Sequence, residues 1–276
     1  ALREDANNFN LIVCPGYPEL ISNMVNLNND RNNTSFIIGD SPMRLRATGT
    51  DVQAWATNSA SASATSEEGL ATQSPYVGIY YPGGQTNDLN GNSVAVPASH
   101  AALRGIINSD NKAFPWLAPA GSLRGLIDNL NSIGYVDPDS GAYISVGVNQ
   151  GLRDILYTNK INPFTYLPST GLVIYGQKTL SQTPSALDRI NVARLVNYLR
   201  TQLNILARPY IFEPNDPIFG KIRELGGEYG ATTGRPRQCN WINTALLRKA
   251  ARMNGVNKVV FNKADILRMV DVWKAY

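Results

Sequence analysis

Histidine occurs once in the 276 residues, at His100, and cysteine twice, at Cys14 and Cys239. A single imidazole excludes a His-rich metal centre. Two thiols far apart in sequence cannot build a disulfide framework, which points to a reducing compartment. Charge is scarce too: charged side chains are 17 % of the chain against 43 % apolar ones. That apolar share can fill a sizeable core in one large domain or two ordinary ones. A polar surface rich in Asn, Ser and Thr but poor in charge suits a protein packed against many neighbours. No apolar run approaches the ~20 residues that cross a bilayer. The opening Ala1-Leu2-Arg3-Glu4-Asp5 is not a secretory signal and reads as a cut inside a longer protein. The sequons at Asn32 and Asn33 therefore carry little weight.

The net charge of +4 conceals an asymmetry. Residues 217–276 hold 11 of the 25 basic and 4 of the 21 acidic side chains, which leaves 14 basic and 17 acidic in residues 1–216. The basic balance belongs to the tail alone, so a nucleic-acid reading based on the whole chain would be misplaced. So abrupt a break is also a candidate boundary.

Along the chain, residues 9–16 read as a short buried strand closed by Pro15-Gly16, residues 21–29 as a helix, and residues 35–40 as a second buried strand. This order suggests an α/β layer architecture. Residues 56–69, with the Ser/Ala run, have nothing large to bury and read as an exposed loop. A strand over 76–81 ends at Pro82, a polar Gly/Asn-rich turn spans 83–92, and residues 94–97 follow. Ser99 is a plausible N-cap for a helix over 100–108. Prolines make 114–121 irregular. Residues 143–157 alternate short apolar and polar pieces, 161–167 read as a turn and an extended piece, and 171–176 as a glycine-bounded strand. The clearest helix runs over 185–207, where Leu187, Ile190, Val196, Leu199, Leu203 and Leu206 recur at three- and four-residue steps with Ser185 as cap. A strand over 210–214 follows Pro209.

Several of these segments resemble one family. They are Tyr80-Tyr81-Pro82, Val96-Pro97-Ala98-Ser99, Ala113-Phe114-Pro115-Trp116-Leu117-Ala118-Pro119-Ala120-Gly121, Ile161-Asn162-Pro163, the run from Gly171 to Leu180, Arg189-Ile190-Asn191-Val192-Ala193-Arg194-Leu195, and Phe212-Glu213-Pro214-Asn215-Asp216. In this order they resemble the contractile tail sheath proteins of myovirus-type phages, over about residues 1–216. The resemblance implies a structural subunit and no catalysis or cofactor. Such subunits stack as hexameric rings around a tail tube and meet the baseplate and the tail terminator. They are assembled in the host cytoplasm and reside in the virion. Their extended state collapses on a baseplate signal, with energy stored in packing, and the contraction drives genome or effector delivery. Neither membrane insertion nor direct nucleic-acid contact is implied. Family subunits also lend terminal arms as strands to neighbours, and this sequence is expected to lack those arms.

After Pro217 the likeness changes. The run from Gly226 to Trp241, with Thr232, Thr233, Arg235 and Arg237, resembles adenylosuccinate synthetase. In that family these positions recognise the aspartate substrate, and hydroxyls with guanidiniums suit carboxylate and phosphate. A basic helix over 246–253 and a strand over 259–261 lead to Asn262, Lys263 and Asp265, similar to the guanine-reading motif of GTP-binding proteins. The glycine-rich phosphate loop of the synthetases has no counterpart here, so a purine-nucleotide synthetase relative, condensing IMP and aspartate with GTP, is the incomplete alternative. A natural recombination and an engineered fusion would both leave this pattern.

The fold expected is α/β: a mixed sheet flanked by helices, with the 185–207 helix packed across it and a small α/β segment at the C-terminal end. The expected organisation is 1–55 as the first part of the sheath core, 56–70 as the Ser/Ala-rich loop, 71–216 as the core domain and 217–276 as the synthetase-like fragment. Asp188 and Arg189 are candidate inter-subunit contacts, or else ordinary solvated helix charges. Arg235 and Arg237 read equally as a solvated basic loop. Phe114, Trp116, Tyr135 and Tyr143 read as core or interface packing, Cys14 as a small buried hydrophobe, and His100 as a satisfied structural residue ahead of a helix.

Overall fold

A computed structural model describes residues 2–3, 7, 9–59, 69–112, 114–207, 217–230, 234–236, 239, 244, 247–248, 251, 258, 266 and 268–270, without the side chains of 203–207. The chain divides into two compact units, Ala1–Gln202 and Leu203–Tyr276.

In the first unit the elements run β1 (Leu11–Val13), α1 (Ile21–Asp30), β2 (Phe36–Asp40), α2 (Gly49–Ala56), β3 (Val77–Tyr81), β4 (Gly83–Asn87), β5 (Ser93–Val96) and α3 (Ala98–Lys112). Then come α4 (Gly121–Arg124), β6 (Ser132–Val136), β7 (Tyr143–Ser145), α5 (Gln150–Thr158), β8 (Ile161–Leu167), β9 (Gly171–Ile174) and α6 (Ile190–Ala207), whose end passes the unit boundary after Gln202. The main sheet has the order β1-β2-β3-β8-β9. Its first four strands are parallel, and β9 is antiparallel at the edge. Every residue of β2 and β3 is buried. Strands covered on both faces read as unbroken apolar runs, which is why the sequence betrays them.

Helices cover both faces. On one, Gly39 admits Ile21 of α1 against Ile79, because a Cβ there would fall 2.6 Å from the Ile79 side chain. The same face meets α5, where the Arg153 guanidinium donates to the Thr165 hydroxyl at 3.2 Å. On the other face Ile190 of α6 lies over Gly78 beside Phe36. There too Tyr80 and Phe164 pack with ring centroids 5.9 Å apart.

Two prolines explain how the chain leaves this sheet. The Tyr81–Pro82 peptide is cis, and the strand continues directly as β4 of a second, antiparallel sheet ordered β5-β4-β6-β7. Pro163 lies inside β8, where a missing N–H would normally break a ladder. It sits where β8 changes partner: Ile161 to Pro163 are in register with β3, and Phe164 to Leu167 with β9. Asn162 binds this crossing together. Fully buried, it donates to the Ile79 and Lys178 carbonyls at 2.9 and 2.8 Å and accepts from the Lys178 N–H at 2.6 Å.

Several expectations need correction. Residues 83–92 form β4 and its tip rather than a turn throughout. Residues 143–157 contain β7 and most of α5, and 161–167 are strand throughout. Ser99 does not precede a helix; it lies in the first turn of α3 and its hydroxyl donates to Asp40. The long helix starts at Ile190, not at residue 185. Ser185 instead caps a separate 3-10 turn, Ala186–Asp188, accepting from the Leu187 N–H at 3.2 Å, and Arg189 is extended. The strand expected over 210–214 and most of the 56–69 loop lie outside the described residues.

Gly134 in β6 shows how closely the second sheet is built. A Cβ at that position would lie 2.1 Å from the Ile144 carbonyl oxygen of β7. Backbone cannot swing aside as a side chain can. Gly134→Ala is expected to part β6 from β7 and to cost about 1–3 kcal/mol, read as a lowered midpoint in thermal unfolding.

In the second unit, helix α7 (Pro217–Gly226) buries Phe219. It is followed by an antiparallel bridge between Tyr229 and Pro236.

Candidate functional site

The candidate site residues fall at two places in the chain. The first is the segment leading into α6. Arg189 forms an isolated antiparallel bridge with Lys178, and the Thr179 N–H donates to the Asp188 carbonyl at 3.0 Å. Both candidates, Asp188 and Arg189, are half-buried and lie before α6 rather than in its first turn. The Arg189 guanidinium donates to the Tyr157 hydroxyl of α5 at 2.5 Å. Lys178 Nζ lies 5.2 Å from the centre of the same ring. Beside Tyr157 opens a cleft of about 520 Å³ lined by Arg153, Asp154, Tyr157, Thr158, Pro163 and Tyr175. The Arg153 guanidinium is 5.1 Å from the Tyr175 ring centre. Reading Arg189 from sequence gave its charge but not this setting. Its partner tyrosine is 32 residues away and sits on a helix that the sequence reading did not identify.

The second place is the loop after α7. The Gly230 N–H donates to the Arg235 carbonyl at 2.8 Å and the Gly234 N–H to the Gly230 carbonyl at 2.9 Å. Gly234 takes φ +60°, which a side chain resists. Arg235 is exposed. Thr232, Thr233, Arg237, Asn262, Lys263 and Asp265 lie outside the described residues.

Two buried polar networks escaped the sequence reading. Asp40, at the end of β2, accepts from the Gly16 N–H at 2.8 Å, the Ser99 N–H at 2.6 Å and the Ser99 hydroxyl at 2.7 Å. It thereby supplies an acceptor to the first turn of α3. Burial pushes its carboxyl above the usual range, against the opposing pull of these donors. On the same side of the sheet, Arg194 of α6 holds Asp110 of α3 through two bonds of 2.9 and 2.5 Å. Tyr80, also on that face, has its phenol pushed up by burial, with the Arg194 charge acting the other way.

The aromatic residues do not form one group. Phe114 stacks on Trp116 at 4.8 Å between centroids, Trp116 meets Tyr198 at 5.1 Å, and Phe114 is 62 % exposed. Tyr135 and Tyr143 are half-buried on β6 and β7 of the second sheet. His100 is exposed on α3, so its side chain has no buried structural setting. Cys14 is half-buried against the core. Among the described residues no group of three or more His, Cys, Asp or Glu could hold a metal ion, and no helix is long and apolar enough to cross a membrane.

Residues 205–275 match the family profile of adenylosuccinate synthetase. The chain is 35 % identical over 133 residues to the tail sheath protein of Vibrio phage KVP40, which covers 44 % of this chain and 18 % of that protein. It is 43 % identical over 63 residues to adenylosuccinate synthetase 1 of Chromobacterium violaceum, covering 23 % of this chain and 15 % of that protein. Among solved structures, the helical sheath of the anti-feeding prophage in its contracted state aligns with a TM-score of 0.50 at 19 % identity, over 93 % of this chain and 57 % of that one. The chain thus spans less than a fifth of the length of these two sequence relatives. Both resemblances read from the sequence are found, and the fold, a mixed sheet flanked by helices, is shared with a contractile sheath.

Proposed function

We propose that residues 1–216 are the core of a structural subunit of a contractile tail sheath. The observation that carries the reading is the coincidence, in one chain, of 133 residues of tail-sheath sequence with the fold of a contractile sheath. The subunit polymerises with copies of itself as stacked hexameric rings around a tail tube, bounded by baseplate and tail terminator. It belongs to the virion, is assembled in the host cytoplasm, and contracts to drive genome or effector delivery. Its output is mechanical and it uses no cofactor. The three-layer core suits this task, because helices tied to both faces of one sheet move as a body while outer contacts exchange. Asp188 and Arg189 belong to those outer contacts. Electron microscopy of the source particle tests the reading: a helical array of this chain around a tube is expected, and a free globular particle would overturn it.

The match of residues 205–275 favours a second, narrower reading, in which Thr232, Thr233, Arg235, Arg237, Asn262, Lys263 and Asp265 are a vestigial ligand surface. A phosphate-cradling loop is what phosphoryl transfer requires besides these groups. Calorimetric titration of the chain with GTP and with IMP is expected to give no saturable heat. Micromolar binding of both nucleotides would restore the synthetase reading.

A further inference from the structure

We propose that the cleft between Tyr157 and Tyr175 is a docking site for an acidic segment of a partner protein, whose carboxylates are received by Arg153, Lys178 and Arg189. These cations converge on two tyrosines: Arg189 bonds to the Tyr157 hydroxyl, Lys178 lies over the Tyr157 ring, and Arg153 lies over the Tyr175 ring. Among the described residues none of the three has an ion-pair partner. Arg3, Arg46, Arg104 and Arg194 are each matched by an aspartate of the same chain.

The cations are also held in place. Arg153 spends one guanidinium nitrogen on the Val148 carbonyl at 3.0 Å and on the Thr165 hydroxyl at 3.2 Å, which fixes the direction of the remaining donors. The backbones of Lys178 and Arg189 are bridged to one another. Preorganised donors lose less freedom on binding, and a planar guanidinium suits a carboxylate in two-point contact. Tyr157 and Tyr175 are 38 % and 49 % exposed, so the walls offer ring surface to the stem of an incoming side chain.

Discrete carboxylates fit this cleft better than a nucleic-acid strand. Asp154 lines it, and Asp188 adjoins Arg189. A continuous phosphate backbone would meet both negative charges, whereas separate carboxylates can fall between them. The proposal rests on the assembly reading only in taking the partner to be a protein. Peptide binding without sheath arrays would keep the cleft and sink the sheath, and arrays without peptide binding would do the reverse.

The test is fluorescence anisotropy on the whole chain with a short labelled peptide of alternating Glu and Gly. Saturable binding is expected, weakening steeply with added salt. The double variant Lys178→Gln/Arg189→Gln should bind about tenfold or more weakly, and Arg104→Gln, on the Asp128 pair, should bind as the parent does. Arg189→Lys keeps the charge and should retain most of the affinity. Failure to saturate, equal affinity in the double variant, or equal losses in Arg189→Lys and Arg189→Gln would each overturn the proposal. So would tighter binding of a short oligothymidylate than of the peptide.

Discussion

Asp110→Ala lowers the unfolding free energy by about 3–5 kcal/mol, measured by denaturant titration of the whole chain. The reason is asymmetric burial. Arg194 is only 3 % exposed, while its partner Asp110 is 19 % exposed. Removing the carboxylate strands a guanidinium that water cannot reach. Removing the arginine leaves a carboxylate that water partly reaches, although it lies in the last turn of α3, where the helix dipole opposes an anion. Arg194→Ala is therefore expected to cost less than Asp110→Ala. A pair of this kind need not be worth much against an apolar pair of similar volume. The double variant Asp110→Leu/Arg194→Met should recover to within about 1 kcal/mol of the parent. Equal costs for the two single variants, or a double variant as unstable as Asp110→Ala, would show that the buried charge is not what matters.

The consequence for function lies in the coupling of α3 to α6. Arg194 lies near the start of α6 and Asp110 near the end of α3, so the clamp ties two helices of one layer across 84 residues of sequence. In the proposed sheath subunit such a tie keeps that layer rigid while contacts to neighbours are exchanged. The cleft of Tyr157 and Tyr175 is approached from the other face of the sheet, through α5. If the cleft receives a partner as proposed, the clamp that holds the body together and the surface that meets the partner lie on different faces.

These contacts also mark where sequence reading stops. Residues 36–40 and 77–81 were legible as strands because parallel strands buried on both faces need apolar runs, here Phe36 to Ile38 and Val77 to Tyr81. Helix α1 was legible because Ile21, Met24 and Asn28 recur at helical spacing and are the residues it buries. Strand β4 was not legible, since Gly83, Gly84, Gln85, Thr86 and Asn87 hold no large apolar side chain. It is a strand because β5 and β6 pair with its backbone on both sides. Helix α5 was missed although Asn149 accepts from the Leu152 N–H at 2.9 Å as an N-cap. Leu152, Ile155 and Leu156 do fall at three- and four-residue helical spacing, a signal hidden when residues 143–157 are read as short alternating pieces. Helix α2 likewise carries a local signal in Thr48, which accepts from the Asp51 N–H at 3.1 Å. The candidate site was legible as residue types and not as a place. Arg189 has the charge expected of an interface residue, but Tyr157, Tyr175 and Lys178 join it through folding alone.

The contact between Asp40 and Ser99 makes the same point and bears as directly on folding. Asp40→Ala is expected to cost about 3–5 kcal/mol, because it leaves the Gly16 and Ser99 N–H groups and the Ser99 hydroxyl without their acceptor, and Ser99 is fully buried. Asp40→Asn keeps one acceptor oxygen but turns an amide N–H₂ toward the remaining donors, so its cost should be intermediate. The pH dependence separates charge from hydrogen bonding. Burial raises the folded carboxyl above its ordinary value of 3.8. The folded state then binds this proton more tightly than the unfolded chain does. The contribution of the group to stability is therefore fully present below the ordinary carboxylate value and is lost as pH rises through the raised one. Asp40→Asn carries no proton to lose and should flatten that part of the stability profile. If the variant kept the parent's slope from pH 4 to neutrality, the buried carboxyl would not be the group responsible, and the three donors would have to hold it ionised throughout.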